Sequence, residues 1–111
     1  MVGKAELKAY AKKLSLDIFK IGCDRTNFAI LKMAVVKPVS IKEIRKELGG
    51  LSTMPANRRV NQLVEVGLLK REYKKTKIKA TKLTAIFLKL IRHLEGLIEK
   101  EVEIKPIVSF K

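Results

Sequence analysis

Residues 68–83 carry seven lysines or arginines against one glutamate, a net charge of +6 in one short stretch. Lys70, Arg71, Lys74, Lys75, Lys77 and Lys79 make up most of it. Ammonium groups at that density suit one kind of chemistry, which is holding phosphate oxygens as flexible point charges. The rest of the chain leans the same way, with 25 Lys or Arg against 11 Asp or Glu and a formal net charge of +14. A field of that sign selects polyanions, nucleic acid first and an anionic membrane surface second.

Other reactive side chains are few. Cys23 is the only cysteine and His93 the only histidine, so neither an intramolecular disulfide, a cysteine-rich zinc site nor a histidine-pair metal site can form. Glu95, Glu99 and Glu103 recur at four-residue steps, which reads as a solvated helix edge rather than a paired-carboxylate catalyst. Tyr10 and Tyr73 are too few and too separated for a platform that stacks single-stranded bases. There is no glycine-rich phosphate loop, nucleophile elbow or metal motif. The expectation is a protein that is not an enzyme and uses no cofactor. Its apolar runs are too short to span a bilayer, and residues 1–10 lack the apolar stretch of a signal peptide. That points to a cytoplasmic, nucleoid-associated protein. The length of 111 residues fits one domain, 1–111, and 47% hydrophobic residues suffice for its core.

The elements that would position these groups follow from apolar spacing. Leu7, Tyr10, Ala11, Leu14, Ile18 and Ile21 recur at three- and four-residue steps and predict a helix over 4–21, ended by Gly22. Asp24 or Thr26 caps a second helix with Phe28, Leu31, Met33, Ala34 and Val35 on its apolar face. Pro38 closes it, because the residue before a proline is pushed out of helical geometry. Ser40-Ile41-Lys42-Glu43 is a capping box, and a short helix with Ile41, Ile44 and Leu48 facing inward runs to the Gly49-Gly50 stop. Ser52 or Thr53 opens a further helix over 53–66, with Pro55 tolerated in its first turn and Gly67 as terminator. The period then changes. Residues 68–73 and 78–83 read as two short strands joined by a Lys74–Lys77 tip that lacks the usual turn glycine. Thr84 is expected to cap a long helix over 84–104.

A helix that projects base-reading side chains into the major groove needs a second helix to hold it at a fixed angle. Helix 41–48 is the holder and helix 53–66 the reader. In this order the residues resemble the winged helix-turn-helix superfamily, particularly regulators of the multiple-antibiotic-resistance and arsenic-resistance types. The resemblance runs from about Asn27 to Ile91. It rests on Ile30-Leu31, Pro38-Val39-Ser40-Ile41, Glu43-Ile44, Glu47-Leu48-Gly49 and Leu63-Val64-Glu65-Val66-Gly67-Leu68-Leu69, then the basic hairpin and Leu83-Thr84. The chain is also similar to small basic archaeal winged-helix proteins with a long C-terminal helix.

The resemblance implies a mainly α fold with a small β-hairpin wing, its helix-turn-helix core and wing over 24–83. It places Ala56, Val60, Leu63 and Val64 in the core and turns Ser52, Thr53, Asn57, Arg58 and Asn61 toward the groove. There Arg can bridge the O6 and N7 of guanine, and Asn can pair with adenine. Arg59 and Gln62 would flank that face within reach of phosphates, and the wing lysines would supply affinity. Pro55 departs from the small polar residue usual at its position. The implied partner is double-stranded DNA, bound by a transcriptional regulator. An architectural chromatin protein with little sequence preference, a protein–protein adaptor and an RNA or ribosome binder stay open as alternatives.

The segment from 84 to 111 carries five basic and four acidic residues, only +1, and needs a separate reading. Ile86, Phe87, Leu90, Ile91, Leu94, Leu97, Ile98, Val102 and Ile104 form a broad stripe close to a heptad repeat. A winged helix is too small to cover it all. Ile86, Leu90, Leu94, Leu97 and Ile98 are therefore expected at a homodimer interface, unless the N-terminal helix covers the stripe within one chain. Cys23, in a turn ahead of a helix, is expected to be accessible and somewhat acidified. Asn and Gln are sparse while Lys, Glu and Ile abound, as in thermophiles, where intracellular disulfides occur. Cys23 is thus a candidate for a bridge across the dimer, with a packed, unpaired thiol as the other outcome.

Overall fold

The computed structural model describes residues 3–50 and 52–104. Five helices and one hairpin follow in order: α1 (Lys4–Gly22), α2 (Arg25–Val36), α3 (Ile41–Glu47), α4 (Thr53–Glu65), β1 (Leu69–Glu72), β2 (Lys77–Ala80) and α5 (Lys82–Ile104). The local signals act where expected. Asp24 caps α2 by accepting from the backbone N–H groups of Thr26 and Asn27, and Lys37, ahead of Pro38, is extended. Ser40 and Glu43 form the complete capping box of α3. These bonds satisfy donors that a helix start would otherwise leave unpaired.

Core residues come from every element. Ile18, Ile30, Leu31, Ala34, Val39, Ile44, Val60, Leu63, Val66, Leu68, Leu69, Ile78 and Phe87 are buried together. Phe87 anchors α5, its ring edge-on to Phe19 at 5.6 Å and to Phe28 at 6.3 Å. Gly22 is needed at this junction because a Cβ there would stand 2.8 Å from Phe87 Cζ. The two strands pair antiparallel from Leu69 with Ala80 to Glu72 with Lys77. Val39, between α2 and α3, adds an isolated bridge to β2: its N–H donates to the Ile78 carbonyl at 2.9 Å, and Ile78 N–H returns the bond at 2.6 Å. The hairpin is thereby fastened to the helical body.

Several expectations need correction. The strands are shorter than 68–73 and 78–83. The tip is a single 3-10 turn at Tyr73–Lys75, closed by Thr76 in the left-handed region at φ +48°, and Lys77 already belongs to β2. A threonine does here what glycine usually does. Helix α5 starts two residues before Thr84, which is fully buried within its first turn. Its hydroxyl donates to the Leu68 carbonyl, while Thr81 Oγ donates to the Gly67 carbonyl at 2.6 Å. Both threonines tie α5 to the turn before β1, where Gly67 sits at φ +83°. Along α1, Leu14, Ile18 and Ile21 pack inward, but Leu7, Tyr10 and Ala11 are exposed. On α2, Ile30 and Leu31 are both fully buried, while Val35 is exposed.

Candidate nucleic-acid interface

Ala56, Val60 and Leu63 are completely buried and fix the rotation of α4. Val64 is half-buried against the same core. The opposite face then has no choice but to point outward. Ser52, Thr53, Arg58, Asn61 and Gln62 are exposed and Asn57 is half-buried. Met54, Asn57, Arg58, Asn61, Gln62 and Glu65 line one shallow, open concavity on this face. Pro55 occupies the first turn of α4, and Ser52 makes no side-chain cap bond.

The basic residues divide into free and committed groups. Lys70 and Lys74 are exposed. The side chain of Lys75 lies outside the described ones. Lys79 is exposed and approaches Glu72 at 3.6 Å. Lys77 is pinned by Glu43, with Nζ 3.1 Å from Oε1. The same Glu43 oxygen accepts from Ser40 N–H and from Ser40 Oγ–H. The Lys77 hydrogen bond leads, with the Ser40 bonds behind it, in holding the Glu43 carboxyl below the usual glutamate range.

Arg71 reaches from β1 to α4 and donates through Nη2 to Asn61 Oδ1 at 2.8 Å and to Asn57 Oδ1 at 3.2 Å. Asn57 Nδ2 donates to the Thr53 carbonyl at 3.1 Å. Hairpin and helix thus share one polar cluster on the exposed side.

Arg59 does not reach outward as expected. Its Nη1 donates to Asp24 Oδ1 at 2.6 Å and to Asn27 Oδ1 at 3.2 Å. Asn27, buried, passes the connection on by donating to the Ile21 carbonyl at 3.0 Å. Arg59 is a brace that locks α4 to the α1–α2 corner. The Asn27 backbone N–H is the chief cause, with Arg59 adding to it, of an Asp24 carboxyl held below the usual aspartate range. Sequence reasoning missed both arginine clusters. Their partners lie 35 residues away for Asp24 and 10 or 14 for the asparagines, beyond any helix or hairpin period. The usable signal was that Arg59 lies three residues after Ala56 and four before Leu63, at the edge of the buried face of α4, where a long side chain can be drawn along the body rather than into the groove.

No model of a known protein family matches the chain, and no curated protein matches its sequence. Solved structures do match its backbone. HlyU from Vibrio cholerae is 16% identical with a TM-score of 0.63, covering 76% of this chain and 94% of its own. A homodimeric winged helix-turn-helix DNA-binding domain from Mycobacterium bovis, a possible ArsR-family transcriptional regulator, is 14% identical with a TM-score of 0.70, covering 100% of both chains. The chain has a winged helix-turn-helix fold. In that fold α3 and α4 are the helix-turn-helix, β1 and β2 the wing, and α5 the C-terminal extension.

On α5 the winged helix leaves a second surface. Ile86, Leu90, Leu94, Leu97 and Ile98 are between 48% and 54% exposed, and α1 does not cover them. Phe19, also exposed, and the buried Phe87 mark where α1 and α5 meet. Cys23 is exposed and unpaired. His93 and Glu95 are exposed on α5 as well. Among the described residues no group of His, Cys, Asp or Glu could hold a metal, and no helix is long and apolar enough to cross a membrane.

Proposed function

We propose that this protein binds double-stranded DNA as a homodimer and acts as a sequence-selective transcriptional regulator. In this reading α4 enters the major groove and the wing lies along the phosphates. The carrying observation is the Arg71 cluster. It joins the polar face of α4 to a wing whose Lys70 and Lys74 remain free, so base-reading and phosphate-holding groups form one continuous surface. Thr53, Arg58, Asn61 and Gln62 are the groups available for base edges, and Lys70, Lys74, Lys75 and Lys79 those for phosphates. Arg59 and Lys77 serve to hold the reader and the wing in place. The dimer reading draws on the half-exposed stripe of α5, its near-neutral charge and the homodimeric state of the M. bovis domain. Two-fold symmetry would set the two α4 helices about 34 Å apart, on successive turns of the groove.

The test is binding to random DNA duplex, selected DNA duplex and duplex RNA across a range of salt. A regulator keeps a large affinity ratio between selected and random DNA, and a coating protein does not. Replacing Lys70, Lys74 and Lys75 by Ala should weaken binding to all duplexes alike. The log–log salt slope should fall by about 0.9 for each phosphate that is no longer neutralised. An unchanged slope would remove the wing from the interface.

A further inference from the structure

We propose that Arg71 is a specificity-determining residue. By holding the amide oxygens of Asn57 and Asn61 toward the wing, it leaves the Asn61 N–H₂ group to meet a base beside Arg58 and so directs this pair to guanine rather than adenine. The inference rests on the duplex-DNA reading above.

The orientation of the two amides follows from chemistry alone. A guanidinium has five N–H donors and no acceptor. An asparagine that meets it within hydrogen-bond distance must present its oxygen. Asn61 Oδ1 lies 2.8 Å and Asn57 Oδ1 3.2 Å from Arg71 Nη2. For Asn57 the other half is also used, because Nδ2 donates to the Thr53 carbonyl. Both halves of the Asn57 amide are thereby engaged within the protein, which makes it a positioning residue. For Asn61 the amide nitrogen meets no acceptor among the described residues, and the side chain is exposed. With its oxygen turned to Arg71 and one lone pair taken, Asn61 has its N–H₂ group on the side away from Arg71. Arg58, on the same exposed face, offers only N–H.

Adenine is read by an asparagine through both halves of the amide, which donates to N7 and accepts from the N6 amino group. An Asn61 whose oxygen is held by Arg71 has one lone pair left, so pairing with adenine would require that oxygen to serve the guanidinium and the N6 amino group at once. Guanine shows O6 and N7 on the same edge, both acceptors, and matches the N–H groups of Asn61 and Arg58. The exposed Glu65, one turn beyond Asn61, adds an acceptor suited to the cytosine amino group on the paired strand. The expectation drawn from residue types, that asparagine here pairs with adenine, reverses once the third side chain is counted.

The experiment selects bound duplexes from a randomised pool with the full chain. It then measures affinity for matched duplexes that differ by G·C against A·T at the enriched position. Wild type should enrich guanine and favour the G·C duplex on the order of tenfold or more, the size of one good base contact. Arg71→Ala frees both oxygens, so the preference at that position should move to adenine. The salt slope should change by no more than about one, the value for a single phosphate. Asn61→Asp keeps a partner for Arg71 but removes the donor, so it should lose the guanine preference without gaining adenine. That variant separates base choice from any packing role of Arg71. A wild type that selects adenine, or an Arg71→Ala protein with the wild-type preference, overturns the inference. Binding without any base preference also overturns it, while leaving duplex binding standing. Failure to bind any duplex overturns the duplex reading itself.

Discussion

Helix α4 carries Ala56, Val60 and Leu63 along one face, and all three are fully buried. Helix α5 carries Leu90, Leu94 and Leu97 along one of its faces, and each stays about half exposed. Both helices show the same periodic alternation, so the pattern cannot tell these fates apart. The difference lies in what surrounds them. The apolar face of α4 is enclosed by α1, α2, α3 and β1, and Arg59 fixes its rotation through Asp24 and Asn27. Helix α5 meets the body along its first half, where Thr84 and Phe87 are buried and Leu88 and Ile91 pack against the core, while the stripe from Leu90 to Ile98 stays half exposed. An amphipathic stripe is a demand for a partner, and only the first is met within the chain. Exposed apolar area of that extent is uncommon on a monomer.

The largest effect should come from the unmet stripe. Leu94→Glu combined with Leu97→Glu should abolish self-association, because four carboxylates would have to approach one another in an apolar seam. Light scattering should then give the monomer mass of 12.6 kDa, against about twice that for wild type at micromolar concentration. A wild type already at 12.6 kDa would end the contrast between the helices.

Next is the α4 face. Leu63→Ala should cost about 2–5 kcal/mol of stability, the range for emptying a filled core site. The loss should be the same at every protein concentration. Leu94→Ala should show the opposite behaviour, lowering the midpoint of thermal unfolding only where the dimer is populated. Concentration-independent losses for both would mean that α5 packs on its own chain after all.

A smaller effect is expected where the two regions meet. Gly22→Ala would place a methyl 2.8 Å from Phe87 Cζ and 3.3 Å from Leu68 Cδ1. Overpacking of this kind costs about 1–3 kcal/mol, and here it should shift the root of α5 as well. Chemical denaturation would measure the first. A changed dimer constant would report the second.

The smallest is the acid-side behaviour of the braces. Asp24 and Glu43 have carboxyls held below their ordinary values of 3.8 and 4.5. A depressed folded-state pKa contributes stability that is present above the unfolded value and is lost as pH falls through the folded one. Neutral-pH stability should therefore hold until the pH drops below 4.5. It should then decline as Glu43 releases Lys77 and Asp24 releases Arg59. Asp24→Ala should cost about 1 kcal/mol at pH 7 as a lost helix cap and flatten the lower part of that decline. An acid profile identical to wild type would show that the Asp24 brace contributes nothing beyond the cap.

Much of this molecule is a local matter and was decided by sequence. The capping box at Ser40 and Glu43, the extended Lys37 before Pro38 and the Gly49-Gly50 stop each depend on residues within four or five positions of one another. Local sterics and hydrogen bonding determine them without reference to the rest of the chain. The net charge of the hairpin and the near-neutrality of the C-terminal segment are equally independent of fold. Tertiary structure decided what depends on distant partners. It made Arg59 a brace, set Lys77 on Glu43, moved Thr84 from a helix cap to a buried tie on Leu68, and turned the oxygens of Asn57 and Asn61 toward Arg71. A long polar side chain has many reachable partners and no period, and its final bond goes to whichever donor or acceptor the packed backbone brings within about 3 Å.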